Sequence, residues 1–144
     1  MKLSEIVTSL ELSLKLKALN IEQESLFYWI VNENYSEEPE VIYAPTDYII
    51  NSKGELEWPR NFPEDCYSAY TASELLELLP CSINSWGLCT DATSILTNEG
   101  IKNLYHITYA DYDKKLMNEI SDINICNMLA KMLIYLIEEK LIEV

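Results

Sequence analysis

Few residues of this chain have the type and spacing that chemistry demands. His106 is the only histidine among 144 residues, so a hydrolase built on a serine or cysteine nucleophile would have to use it as general base. It stands in Leu104-Tyr105-His106-Ile107-Thr108-Tyr109, which alternates like a strand. A strand histidine that faces solvent, or is satisfied in the core, is the simpler expectation. Cys66, Cys81, Cys89 and Cys126 form no CxxC pair and no cluster with histidine, so the paired ligands of a structural zinc site are missing. Dispersed thiols without a secretion signal read as reduced, buried apolar side chains of a cytoplasmic protein. Cys66 beside Tyr67, and Cys89 near Asp91, are the remaining candidates for reactivity. Gly54, Gly87 and Gly100 are each isolated, so no phosphate-cradling loop or dinucleotide fingerprint exists. No catalytic residue, metal or cofactor is expected, and the chain reads as a non-enzyme.

The most abundant chemistry is acidic. Twenty-four Asp and Glu stand against ten Lys and Arg, for a net charge of −14. Residues 1–20 carry three lysines and two glutamates, residues 21–80 two basic and thirteen acidic residues, and residues 81–144 five basic and nine acidic ones. The middle of the chain therefore holds most of the imbalance. Such a charge opposes direct binding to nucleic acid, whose affinity comes largely from cationic neutralisation of phosphate. It opposes anionic membranes too, and no apolar run approaches the ~20 residues of a membrane span. A solvated, solubilising face is one explanation. The functional one is a contact surface for a basic partner, with Glu33, Glu37, Glu38, Glu40, Glu55, Glu57, Glu64 and Asp65 imitating phosphates and Tyr35 or Trp58 adding apolar contact. The alternative is a small-ligand pocket lined by Tyr28, Tyr67, Tyr70 and Trp86, or an unrecognised enzyme using it.

The elements that must position these residues indicate one α+β domain over residues 1–144, since 49% apolar residues argue against disorder. Thr8-Ser9-Leu10-Glu11 has the form of a capping box with Thr8 as N-cap, and Asn20 ends the helix that follows. Thr71-Ala72-Ser73-Glu74 is a second capping box opening a short helix that stops at Pro80. Ser121 or Asp122 can cap a long last helix running to about Glu139. Strands are expected at 26–31, 41–43, 48–50 and 55–58 as an antiparallel meander, then near Ser85–Cys89 with a loop after it, and at 101–109. About four or five strands would pack against the three helices. In the last helix Cys126, Leu129, Leu133 and Ile137 form one stripe, while Met128, Met132, Ile134 and Leu136 lie off its centre. That breadth requires either burial on two sides or a second copy, and the monomeric solution is favoured over a homodimer.

Three blocks resemble a family of small proteins recurrent in bacteriophages and prophages. They run from Ser9 through Leu19 to Gln23-Glu24-Ser25-Leu26-Phe27-Tyr28-Trp29, from Tyr67 through Leu75 to Leu78-Leu79-Pro80, and from Ala130 to Glu138. Together they cover about a third of the chain, in the family's order. The chain departs from the pattern at Asn124-Ile125-Cys126-Asn127, where the family is alanine- and acid-rich. The resemblance implies a mobile-element origin and an α+β fold, and no reaction. With the clustered acidity it leads to the expectation of a phage-encoded inhibitor, an anti-CRISPR or other anti-defence factor, occupying the basic nucleic-acid site of a host or defence protein.

Overall fold

A helix that is apolar around most of its circumference must be enclosed, and the rest of the chain is arranged to do this. The computed structural model describes residues 2–33, 36–44, 49–50, 54, 56–57, 66–111 and 118–144, with backbone only at 49, 50, 56 and 57. The enclosed helix is α3 (Ile125–Glu138), whose Cys126, Met128, Leu129, Ala130, Met132, Leu133, Ile134 and Leu136 are all buried. The stripe, apart from the half-buried Ile137, and the residues beside it are thus covered within one chain. Each large aliphatic side chain so buried is worth roughly 1.5–3 kcal/mol. Around α3 pack α1 (Leu10–Ala18), α2 (Ala72–Leu78) and the strands β6 (Ser82–Ile83), β7 (Trp86–Thr97) and β8 (Gly100–Ala110). Leu12 and Leu16 of α1, Leu75 of α2, and Ile107 and Tyr109 of β8 meet α3 in one cluster.

The fold is α+β, with its strands divided between separate sheets and not joined in one meander. β1 (Phe27–Ile30) is central in a three-stranded antiparallel sheet, flanked by β2 (Glu40–Tyr43) and β5 (Cys66–Ser68). β3 (Ile49–Ile50) and β4 (Leu56–Glu57) pair as a separate hairpin. The second large sheet has the order β6-β7-β8-β9, where β9 is Ile120–Asp122.

Two expected caps move. Ser9 caps α1, accepting from the Leu12 N–H at 3.4 Å. Thr8 is wholly buried instead, because its hydroxyl has a long-range use. It accepts from Tyr70 N–H at 3.0 Å and shares a hydrogen bond with the Ser13 hydroxyl, while the Thr8 N–H donates to the Tyr70 carbonyl. Asn124 caps α3 by accepting from the N–H groups of Cys126 and Asn127. Ser121 and Asp122 are unavailable as caps since they lie in β9, and Asp122 Oδ1 accepts from the Asn124 N–H. α1 ends as expected, with Asn20 in the left-handed region at φ 64°.

The capping box of α2 is present as read, with Thr71 accepting from the Glu74 N–H and the Glu74 carboxylate from the Thr71 N–H. Glu74 also accepts from the Ser25 hydroxyl and the Leu26 N–H, which ties the entry of β1 to α2. Replacing Glu74 with alanine strands several donors at once, so a loss of about 1–3 kcal/mol is expected in urea unfolding. A change under 0.5 kcal/mol would show that water replaces those bonds.

Burial also sets a pH limit. It pushes the Cys126 thiol up to about 11 and the Tyr109 hydroxyl up to about 12, and raises Tyr70 as well. Each group must ionise more readily in the unfolded chain. Their contribution is therefore complete below pH ~9 and declines as pH rises, first through Cys126 and then through the tyrosines. Urea midpoints should be flat from pH 7 to 8.5 and fall steeply above pH 10. Tyr109→Phe should make that fall shallower.

Candidate functional site

The hairpin β7–β8 departs furthest from the sequence reading. A loop was expected after Cys89, but β7 continues to Thr97 and pairs with β8 without interruption from Gly87↔Ala110 to Thr97↔Gly100. Asn98 and Glu99 form the turn, and Gly100 closes it at φ 105°, a conformation that favours glycine. From Cys89 to Ser94 all side chains are exposed, so the segment lacks the apolar alternation of a half-buried strand.

Pairing register builds a site that linear spacing conceals. Asp91 stands opposite His106 on β8, and His106 stands opposite Ser121 on β9. Directly paired residues share a face, so the three form a row across three strands. The Ser121 hydroxyl is 2.6 Å from His106 Nδ1 and the Thr93 hydroxyl 2.9 Å from Nε2. Glu119 lies 3.7 Å from Nδ1. The His106 side chain is 19% exposed, and it borders a groove of about 410 Å³ lined also by Cys89, Asp91, Thr93, Thr108 and Glu119. His106 is thus a strand histidine with both ring nitrogens engaged.

This arrangement can relay a proton between two hydroxyls. In a Ser-His-Asp triad a carboxylate bonded to the second ring nitrogen holds the tautomer. Here a hydroxyl takes that place, and the Glu119 carboxylate stands beyond hydrogen-bond distance. Among the described residues no group of three or more His, Cys, Asp or Glu is placed to hold a metal.

The four aromatic residues expected to share a pocket do not converge on one: Tyr28 and Tyr70 approach each other through hydroxyls bonded at the Glu22–Gln23 segment, while Tyr67 and Trp86 lie elsewhere. Tyr28 pairs with Ser68, whereas Tyr67 pairs with Trp29, so Tyr28 and Tyr67 point to opposite faces of their sheet. Tyr28 and Tyr70 are buried in different clusters and donate to the carbonyls of Gln23 and Glu22. Tyr67 lies under the Lys17 ammonium at 4.5 Å, and Trp86, in the second sheet, packs half-buried against the main core cluster. The α2 amino terminus is filled by Glu74 of its own capping box.

Of the acidic contact residues, Glu33, Glu37 and Glu38 lie exposed on the connection from β1 to β2, and Glu40 is exposed at the start of β2. Tyr35, Glu55, Trp58, Glu64 and Asp65 lie outside the described residues, as does the Glu57 side chain. The cysteines divide: Cys66 and Cys126 are buried, but Cys81 and Cys89 are exposed, because both stand where the chain leaves the core. The chain matches no family model, no curated protein and no solved structure. Among the described residues no helix is long and apolar enough to cross a membrane.

Titration of the native protein with an aromatic disulfide reagent should release two equivalents quickly, from Cys81 and Cys89, and two more only in denaturant. Cys89→Ser should reduce the fast phase to one equivalent. Four fast thiols would contradict the burial of Cys66 and Cys126.

Proposed function

We propose that the chain is a non-catalytic interaction protein that presents an acidic surface to a basic site on another protein. The observation that supports this most is the connection from β1 into the start of β2, where Glu33, Glu37, Glu38 and Glu40 are exposed. No cation pairs with them among the described residues. Carboxylates this closely spaced repel one another within the ~8 Å Debye length and so lower stability. The same field accelerates encounter with a cationic surface. A nucleic-acid-binding groove is the cationic surface such a phosphate-like array fits. The concrete form is a phage-encoded inhibitor acting in the bacterial cytoplasm, of the anti-CRISPR or wider anti-defence kind, and this form rests on the family resemblance.

The second reading, a small-ligand protein or enzyme, draws its support from the His106 groove and not from the tyrosines. A thermal-shift panel of nucleotides and metabolites addresses it: stabilisation lost in His106→Gln would favour it over the first reading.

Pulldown from a bacterial lysate at low salt tests the leading reading. Specific partners should be recovered, should elute with added heparin or duplex DNA, and should be lost when Glu33, Glu37, Glu38 and Glu40 are all changed to glutamine. Recovery of the same partners by that neutral variant would remove the charge mechanism.

A further inference from the structure

Beyond the Ala92–Tyr105 pair the β7–β8 hairpin continues as a two-stranded ribbon with no strand on either edge among the described residues. β6 pairs only with Trp86 and Gly87, and the last bond on that side runs from the Leu88 N–H to the Cys81 carbonyl. β9 pairs only with Tyr105, His106 and Ile107. The outer edge of β7 from Cys89 to Thr97 therefore has no neighbouring strand among the described residues, and its side chains are largely exposed. Two-stranded ribbons are marginal in water, and natural edges of this length are usually blunted by lysine, proline or a bulge. This edge has no proline and no lysine, its pairing with β8 is continuous, and from Ala92 to Asn98 it carries no charge at all. At the tip, Leu96 and Ile101 face each other across the ribbon at 84% and 77% exposure.

We infer that the outer edge of β7 pairs antiparallel with the same edge of a second copy of this chain, joining two ribbons into one four-stranded sheet. Charge and register favour a second copy over a basic partner. A basic partner is attracted to the carboxylates, whereas this segment carries no charge in a chain with a net charge of −14. Two such chains repel unless their acidic parts stay apart. Six residues of strand from Ala92 to Thr97 span about 20 Å at ~3.4 Å each, more than two Debye lengths at physiological salt.

Symmetry narrows the register. A two-fold axis relating two antiparallel edges is perpendicular to the sheet, so paired residues must come from the same face. Centred on Ser94, the axis places Leu96 opposite Ala92 of the other copy, Thr93 opposite Ile95, and Asp91 opposite Thr97. Tyr105 is the β8 partner of Ala92 and Ile101 that of Leu96, so the exposed apolar pair gains apolar neighbours on its own face. No two like charges stand opposite one another.

Sedimentation equilibrium of the full chain across 5–500 µM, at low and at physiological salt, tests the pairing. The expected result is a shift from 16.7 kDa to twice that mass, favoured by salt. Ser94→Lys, which sets two lysines opposite each other at the axis, should abolish the shift while leaving the far-UV spectrum and melting curve unchanged. In a background with Cys81 and Cys89 changed to serine, Ser94→Cys should form an intermolecular disulfide on mild oxidation. A particle of 16.7 kDa at every concentration overturns the inference, and so does a dimer that Ser94→Lys leaves intact and Ser94→Cys fails to cross-link.

Discussion

The enclosure of α3 is the constraint on which the remaining structure depends. Its apolar residues cover too much of the circumference for a single contact face, so elements from distant parts of the chain must approach it from several sides. α1, α2 and the root of the β7–β8 hairpin do so, contributing Leu16, Leu75, Ile107 and Tyr109 among others to one buried cluster. A helix of this composition would otherwise expose a patch prone to aggregation.

Polar groups hold the three-stranded sheet to that core with bonds that span long stretches of sequence. Thr8 exchanges backbone and side-chain bonds with Tyr70, and its carbonyl accepts from the Trp29 indole N–H at 2.8 Å. The amino-terminal segment is fastened in turn to the start of α3. Ser9 N–H donates to Asn127, and the Cys126 thiol donates to the Ile6 carbonyl. Gln23 adds a further tie, accepting from Ser68 N–H and donating to the Tyr70 hydroxyl. These groups are buried or half-buried, so each bond also satisfies a donor or acceptor that would be costly to leave unmade.

The β7–β8 hairpin divides into a root and a ribbon at the His106 row. On the root, Tyr109, Thr108 and Ile107 are buried, and the sheet has neighbours on both sides. Past Tyr105, which still pairs with Asp122, no further strand flanks the hairpin among the described residues, and its side chains are largely exposed. The polar row formed by Asp91, His106 and Ser121, with Thr93 bonded to the imidazole, thus lies one residue pair short of the point where the ribbon leaves β9. The groove beside it and the free edge beyond it are consequences of the same long register.

Local interactions were legible from the residues themselves. The box of Thr71 and Glu74, the stop at Asn20, and the apolar breadth of α3 each depend on residues a few positions apart, and each reads directly. The α+β class follows from them together with the aromatic strand at Phe27–Ile30. What depends on distant partners could not be read. Thr8 lost its capping role because Tyr70, 62 residues away, claims its hydroxyl. Asn124 displaced Asp122 as the α3 cap because β9 pairs with β8. The strand beyond Cys89 carries no apolar alternation because neither of its faces is buried, so its only determinant is the ladder it forms with β8. The row through His106 comes from three strands, and a shift of one residue in register would turn its members to opposite faces. Sequence periodicity reports what each element buries, whereas the groups brought together by pairing are decided only when the strands meet.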